Sequence, residues 1–229
     1  MPLTIGLLWL SFTKRSYIYI ALGALAMSFL FFGNSYYVFH YNAIAILWIE
    51  LAFLVRELWL FFKKKKKDHR VILKYIMLNI VFWAVFIGIS AVKLLPLLEF
   101  RSISSRSILS LSLIEKNVLP FSFLYNILRD FIIPAEHITS FTKWANDLVI
   151  FFVILSFIYF LVKKSFKYGV FLGLLIIGIW GYLADLIPVD LYSFFYNFLP
   201  GFNSNNYPYR FMIIIHFAFL VFFALGFNV

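Results

Sequence analysis

Five consecutive lysines, Lys63 to Lys67, followed by Asp68, His69 and Arg70, stand between two long apolar stretches. That much charge is not stable in hydrocarbon. The flanking runs, Tyr36–Phe62 and Val71–Leu98, each exceed the roughly 20 apolar residues a helix needs to cross a bilayer. The lysines therefore form a short loop, and short loops rich in Lys and Arg stay on the cytoplasmic side. Once this loop is inside, every other span follows by alternation. A nuclear-localisation or nucleic-acid patch has the same composition, but it needs a soluble domain to carry it, and the pattern offers none.

The rest of the composition agrees. Hydrophobic residues make up 64% of the 229 and aromatics 22%, against about half apolar in a soluble domain. The formal charge of +10 would suit nucleic acid if it were spread over a surface. Instead much of it gathers at Lys14-Arg15, at the lysine run, and at Lys163, Lys164 and Lys167, where spans would end. It is a topology signal, with attraction to anionic lipid as a by-product, and nucleic acid is not an expected partner. With no cysteine there is no thiolate chemistry and no disulfide. His40, His69, His137 and His216 lack metal-ligand spacing. No cofactor motif is evident; a divalent metal is compatible with the chemistry considered below, but the chain offers no ligand motif for one. Residues 1–12 are apolar, yet Lys14 and Arg15 follow them instead of preceding them, which is the reverse of a cleavable signal.

The fold class predicted is all-α: a polytopic transmembrane bundle of about six spans, at 17–32, 36–62, 71–98, 148–162, 168–187 and 210–229, as one domain in the plasma membrane. Segments 63–70 and 163–167 are cytoplasmic, and loops 99–147 and 189–209 lie outside. Residues 1–12 are too short to cross and read as an interfacial segment or the stump of a span. In the first outer loop, Arg101, Arg106, Lys116, Arg129 and Lys143 are balanced by Glu99, Glu115, Asp130, Glu136 and Asp147, as befits a side without positive bias. Within it, Leu124, Ile127, Leu128 and Phe131 share one helical face opposite Asn126, Arg129 and Asp130. That predicts an interfacial helix over 121–132, bracketed by Pro120 and Pro134.

Two places carry candidate chemistry. Glu50 lies inside an apolar run, where a carboxylate is costly and marks function by default; the plainer reading is a pair with a basic neighbour near the cytoplasmic surface. Lys93, Glu99, Arg101 and Arg106 cluster where the third span exits, and Arg210 adjoins the last span. A guanidinium fork suits phosphate or pyrophosphate, so Arg101, Arg106, Arg210 and Lys93 are the predicted phosphate contacts, with Glu99 orienting one guanidinium. Equally, Lys93 could snorkel and the arginines could hold headgroups. The aromatic density over 189–211 suits either an interfacial belt or a groove for an isoprenoid chain or sugar rings.

Three stretches together carry a family resemblance: Ala91-Val92-Lys93-Leu94-Leu95-Pro96-Leu97-Leu98-Glu99-Phe100 closing with Ser104-Ser105-Arg106; Phe131-Ile132-Ile133-Pro134; and Leu199-Pro200-Gly201-Phe202 followed by Tyr207-Pro208-Tyr209-Arg210-Phe211. In this order and spacing they resemble the YfhO-like bacterial membrane proteins, of the broad GT-C class of polytopic glycosyltransferases. Gly33, the aromatics after it and His40 are similar to that family's earlier spans. The resemblance implies transfer of a sugar from a polyprenyl-phosphate carrier to a cell-envelope acceptor on the outer face. It also implies an acidic residue in the first outer loop, acting as base or metal partner. Here that loop is Gly33-Asn34-Ser35, without a carboxylate. The expectation is a fragment that begins after the catalytic loop and covers the middle of the family's length. The alternatives are a transporter or lipid flippase, in which Glu50 would be the midplane charge, and a non-catalytic subunit that packs on a partner through the Gly/Ala face at 21–28.

Overall fold

The computed structural model describes residues 1–33, 36–63, 69–103, 151, 153–160, 162, 165–183, 190–199, 202 and 208–226. These are all helix or short connection, with no strand among them. The chain divides into two compact units, Met1–Ser107 and Ile108–Val229, each described by itself.

The first unit contains α1 (Pro2–Lys14), α2 (Tyr17–Phe32), α3 (Tyr36–Lys63) and α4 (His69–Ile103). Pro2 opens α1, where a missing N–H costs nothing. Arg15 closes it in the left-handed conformation (φ 51°), and Ser16 N–H reaches back to Ser11 O at 3.1 Å, a Schellman closure that turns the chain straight into α2. Residues 1–12 are thus a packed member of the unit. The buried positions of α1 are Thr4, Ile5, Leu8, Ser11 and Phe12; those of α2 are Ile20, Gly23, Ala24, Met27, Ser28 and Phe31. Both sets recur at helical spacing and so form one stripe each. The α2 stripe includes the Gly/Ala face, which lies against α1 and α4 within the unit itself.

Two aromatic groups tie α3 to its neighbours. Near one end Phe12 packs on Phe53 and Tyr75 with centroids 5.1 and 4.8 Å apart, and Trp9 meets Phe53 edge-on at 4.9 Å. Near the other, Phe39 stacks on Phe86 at 5.6 Å and Phe31 meets Phe39 at 5.1 Å. Each such pair contributes about 0.5–1.5 kcal/mol beyond the area it buries.

The second unit contains a helical stretch over residues 153–160, then α5 (Phe166–Leu183), α6 (Leu191–Phe198), a 3₁₀ turn (Pro208–Phe211) and α7 (Met212–Gly226). α5 packs against α7, α6 and the 3₁₀ turn. Ser156 donates its hydroxyl to Phe222 O at 2.5 Å, joining 153–160 to α7. The stretch 189–209, read above as an outer loop, contains α6. Asp190 caps it, accepting Tyr192 N–H at 2.8 Å and the Ser193 hydroxyl, an N-cap that satisfies donors a helix start would leave unpaired.

Two helices, His69–Pro96 within α4 and Phe166–Leu183, are long and apolar enough to cross a membrane; α2 and α7 are apolar but shorter. α3 has 28 residues but carries His40, Asn42, Glu50, Arg56 and Glu57. α4 runs on to Ile103, past the expected span end at 98, with Pro96 inside it; α5 covers Phe166–Leu183, and the expected end at 187 lies outside the described residues. The interfacial helix over 121–132, most of the 99–147 loop, lysines 64–67, and Lys163-Lys164 lie outside the described residues.

Candidate functional site

Charge is segregated along the first unit. At one end Arg15 Nη2 stands 3.8 Å from Glu57 Oε2. Lys74 sits over the Tyr17 ring at 5.8 Å and Lys14 over Tyr19 at 5.3 Å. Phe61 meets His69 at 5.0 Å, closing α3 onto α4 beside the lysine run. Arg56 and Arg70 belong to the same end by their places on α3 and α4. The opposite end carries Lys93, Glu99 and Arg101, a mixed set.

The predicted phosphate-binding residues come out as follows. Lys93 is half-buried and donates to Phe31 O at 3.2 Å and Phe32 O at 3.1 Å, with its ammonium 5.6 Å from the Phe31 ring centroid. These carbonyls end α2 and have no intrahelical donor, so Lys93 caps a helix C-terminus, where a cation is favoured. Glu99 is exposed on α4. Arg101 has its backbone on α4, two residues before the helix ends, and Arg106 lies outside the described residues. Arg210 is half-buried in the 3₁₀ turn of the second unit. The structure therefore brings Lys93 to the end of α2, and Glu99 and Arg101 to the last turn of α4. Near Arg210, Phe202, Phe211 and Phe195 make an aromatic cluster with centroids 6.0–6.3 Å apart. From α6, Phe194 (53% exposed) and Phe198 (72%) present adjacent rings 4.9 Å apart.

Glu50 has company that the sequence reading did not supply. Trp83 Nε1 donates to Glu50 Oε2 at 3.3 Å, and the Tyr75 hydroxyl donates to Glu50 O. Asn79 lies between those two on α4, four residues from each, and its Nδ2 donates to Tyr75 O at 2.9 Å. Glu50 Oε1 and Asn79 Oδ1 are buried without a hydrogen-bond partner among the described residues, as are Ser90 Oγ and both amide atoms of Asn42. The signal was present as Tyr75, Asn79 and Trp83 at four-residue spacing, one face of a helix, but it is diluted inside a long apolar run. Among the described residues no three His, Asp or Glu side chains gather to hold a metal.

No protein-family model, curated protein or solved structure matches the chain.

Proposed function

We propose that this chain is part of a multi-pass plasma-membrane glycosyltransferase of GT-C type, with about six spans, that transfers a sugar from a polyprenyl-phosphate carrier to a cell-envelope acceptor on the outer face. The observation that carries the membrane part is the charge segregation of the first unit, with Lys14, Arg15, Arg56, Arg70 and Lys74 toward one end and a mixed set at the other. It suits a bundle whose basic end faces the cytoplasm. The two helices long enough to cross support it. The transferase part is supported by the order of the three resembling stretches, and Arg101, Arg106 and Arg210 are its phosphate contacts. Orientation is tested by cysteines introduced at positions 110 and 165. An impermeant thiol reagent on intact cells is expected to label Ser110→Cys and spare Ser165→Cys; the reverse pattern overturns the topology. Binding is tested with a polyprenyl-phosphate sugar and this chain, or a longer protein containing it. Each Arg→Ala change at 101, 106 or 210 is expected to weaken binding by about 1.5–3 kcal/mol, the range for a hydrogen bond to a charged group. Arg→Lys is expected to recover only part, because the planar fork is lost. Wild-type binding by all three Lys variants reduces the arginines to headgroup anchors.

A second reading, a transporter or lipid flippase, is favoured by the buried polar groups of the first unit, Glu50 and Asn42, since buried polar residues in spans line pathways.

A further inference from the structure

We propose that α3 and α4 enclose a proton-binding site, in which Glu50 is the acid, Asn79 the acceptor, and Tyr75 and Trp83 the frame. Glu50 is 9% exposed. Tyr75 donates to its main-chain carbonyl and Trp83 to its carboxylate, from one turn below and one turn above Asn79 on α4. Asn79 donates one amide hydrogen to the Tyr75 carbonyl, and its Oδ1 is buried without a partner among the described residues. The site therefore holds two unpartnered buried acceptors, Glu50 Oε1 and Asn79 Oδ1. A buried acceptor left unpaired is destabilising. One proton on Oε1 turns Glu50 from an acceptor into a donor, which a buried acceptor on the facing helix, Asn79 Oδ1, can use.

Among the described residues, no charged side chain on the packed helices pairs with the Glu50 carboxylate. On α3, Glu57 is engaged by Arg15, and Arg56 lies over the Phe53 ring at 5.9 Å. His40 is ten residues away, about 15 Å along the helix, with its ring against Phe39. On α4, Lys74 is over Tyr17 and Lys93 caps α2; Tyr75 is the titratable group that faces Glu50. α1 offers only Lys14, which lies over Tyr19, and α2 has no charged residue. Glu50 has no ion-pair partner among the described residues.

Further unpartnered polar groups are buried on the same two helices. Asn42 is 0% exposed with its whole amide unpartnered, and Ser90, 1% exposed, has an unpartnered hydroxyl. Both lie toward the Lys93 end of their helices, Asn42 about 12 Å from Glu50 along α3. Orphaned buried polar atoms are rare enough in folded proteins to call for a role.

The inference goes beyond the transferase reading and does not rest on it. The test is infrared difference spectroscopy of the purified chain between alkaline and acidic buffer. The expected result is a protonated-carboxyl carbonyl band that Glu50→Gln removes and Asn79→Leu shifts to higher frequency, as the acceptor of its hydrogen bond is lost. Glu50→Gln keeps a donor toward Asn79 and should leave the far-ultraviolet circular dichroism unchanged. Should that variant fail to fold, the Asn79→Leu shift, read with Glu50 intact, decides alone. A spectrum without a carboxyl band sensitive to either change overturns the proposal. So does loss of the band when sodium chloride replaces choline chloride at fixed pH, which would make this a metal-cation site. Polyprenyl-phosphate binding plays no part in the readout, so the two proposals fail separately.

Discussion

A methyl group added at Gly23, in the first unit, would meet Leu7 Cβ and Phe82 Cε2 at 3.6 Å and Leu8 N at 3.7 Å, ordinary van der Waals contact. Added at Gly181, in the second, it would lie 2.5 Å from Phe211 Cδ1 and Cζ, and at Gly178 it would lie 2.8 Å from Ile215 Cγ1. The two glycines look alike in the sequence, each in an apolar helix. In α2 the glycine is one small residue in a stripe shared with Ala24 and Ser28, and the helices stand at a distance a side chain could bridge. In α5 the missing side chain is the space an aromatic ring occupies. Both units bury rings, among them Phe12, Phe53, Tyr75 and Phe82 in the first and Tyr182, Tyr192, Phe202 and Phe211 in the second; the first also buries Asn42, Glu50 and Ser90.

The largest effect expected from this contrast is at Gly181. Phe211 is fully buried and braced by Phe195 and Phe202, so its ring has nowhere to retreat. Gly181→Ala should destabilise the second unit by about 1–3 kcal/mol, the usual cost of overpacking. Thermal unfolding in detergent measures it. Phe211→Leu on the same background should restore part of the loss, because the clash is with ring carbons. A neutral Gly181→Ala would mean that the ring moves freely, and the contrast between the units would collapse.

Next in size is Lys93. Removing the ammonium in Lys93→Met leaves the Phe31 and Phe32 carbonyls without their donor and should cost about 1 kcal/mol, within the range for a cation at a helix C-terminus. Lys93→Arg should keep most of it. An intact melting temperature with lost carrier binding would instead place Lys93 in the phosphate site. Smaller still is Ser156→Ala, which removes the one side-chain hydrogen bond from 153–160 to Phe222. In membrane proteins such bonds average about 0.6 kcal/mol. A larger loss would show that polar contacts, and not rings alone, hold the second unit.

The helices were legible where apolar runs end in punctuation. Tyr17–Phe32 is as expected, and α3 covers the apolar run as far as the first lysine. Length criteria hid α1: too short to cross, it still has a stripe from Thr4 to Phe12 that a neighbour can bury. α6 was hidden by its turn-rich surroundings, although Asp190 three residues before Ser193 is an N-cap signature. The candidate site was less legible still. The Lys93 contact spans 61 and 62 residues of sequence and Glu50–Trp83 spans 33; a local pattern cannot reveal either. Glu50 itself stood out because a single carboxylate in an apolar run is unusual.

The smallest loss, in fact an expected gain, and the sharpest test of the comparison, is Gly23→Ala. Alanine gains about 0.8–1 kcal/mol over glycine in a helix interior, because the unfolded chain loses less freedom on folding. Against this stands only the fit of one methyl group. Its neighbours would be a Cβ, a ring edge and a backbone nitrogen, all at 3.6–3.7 Å, so it would add contacts without displacing anything. The melting temperature should therefore hold or rise slightly. Gly23→Leu should fall, since Leu7 and Phe82 leave room for one carbon and not four. If Gly23→Ala costs more than about 1 kcal/mol, α2 must pack on α1 and α4 by the close backbone approach that small residues permit. The first unit would then use its glycine as the second uses Gly181, and the difference between them would reduce to which atoms fill the space.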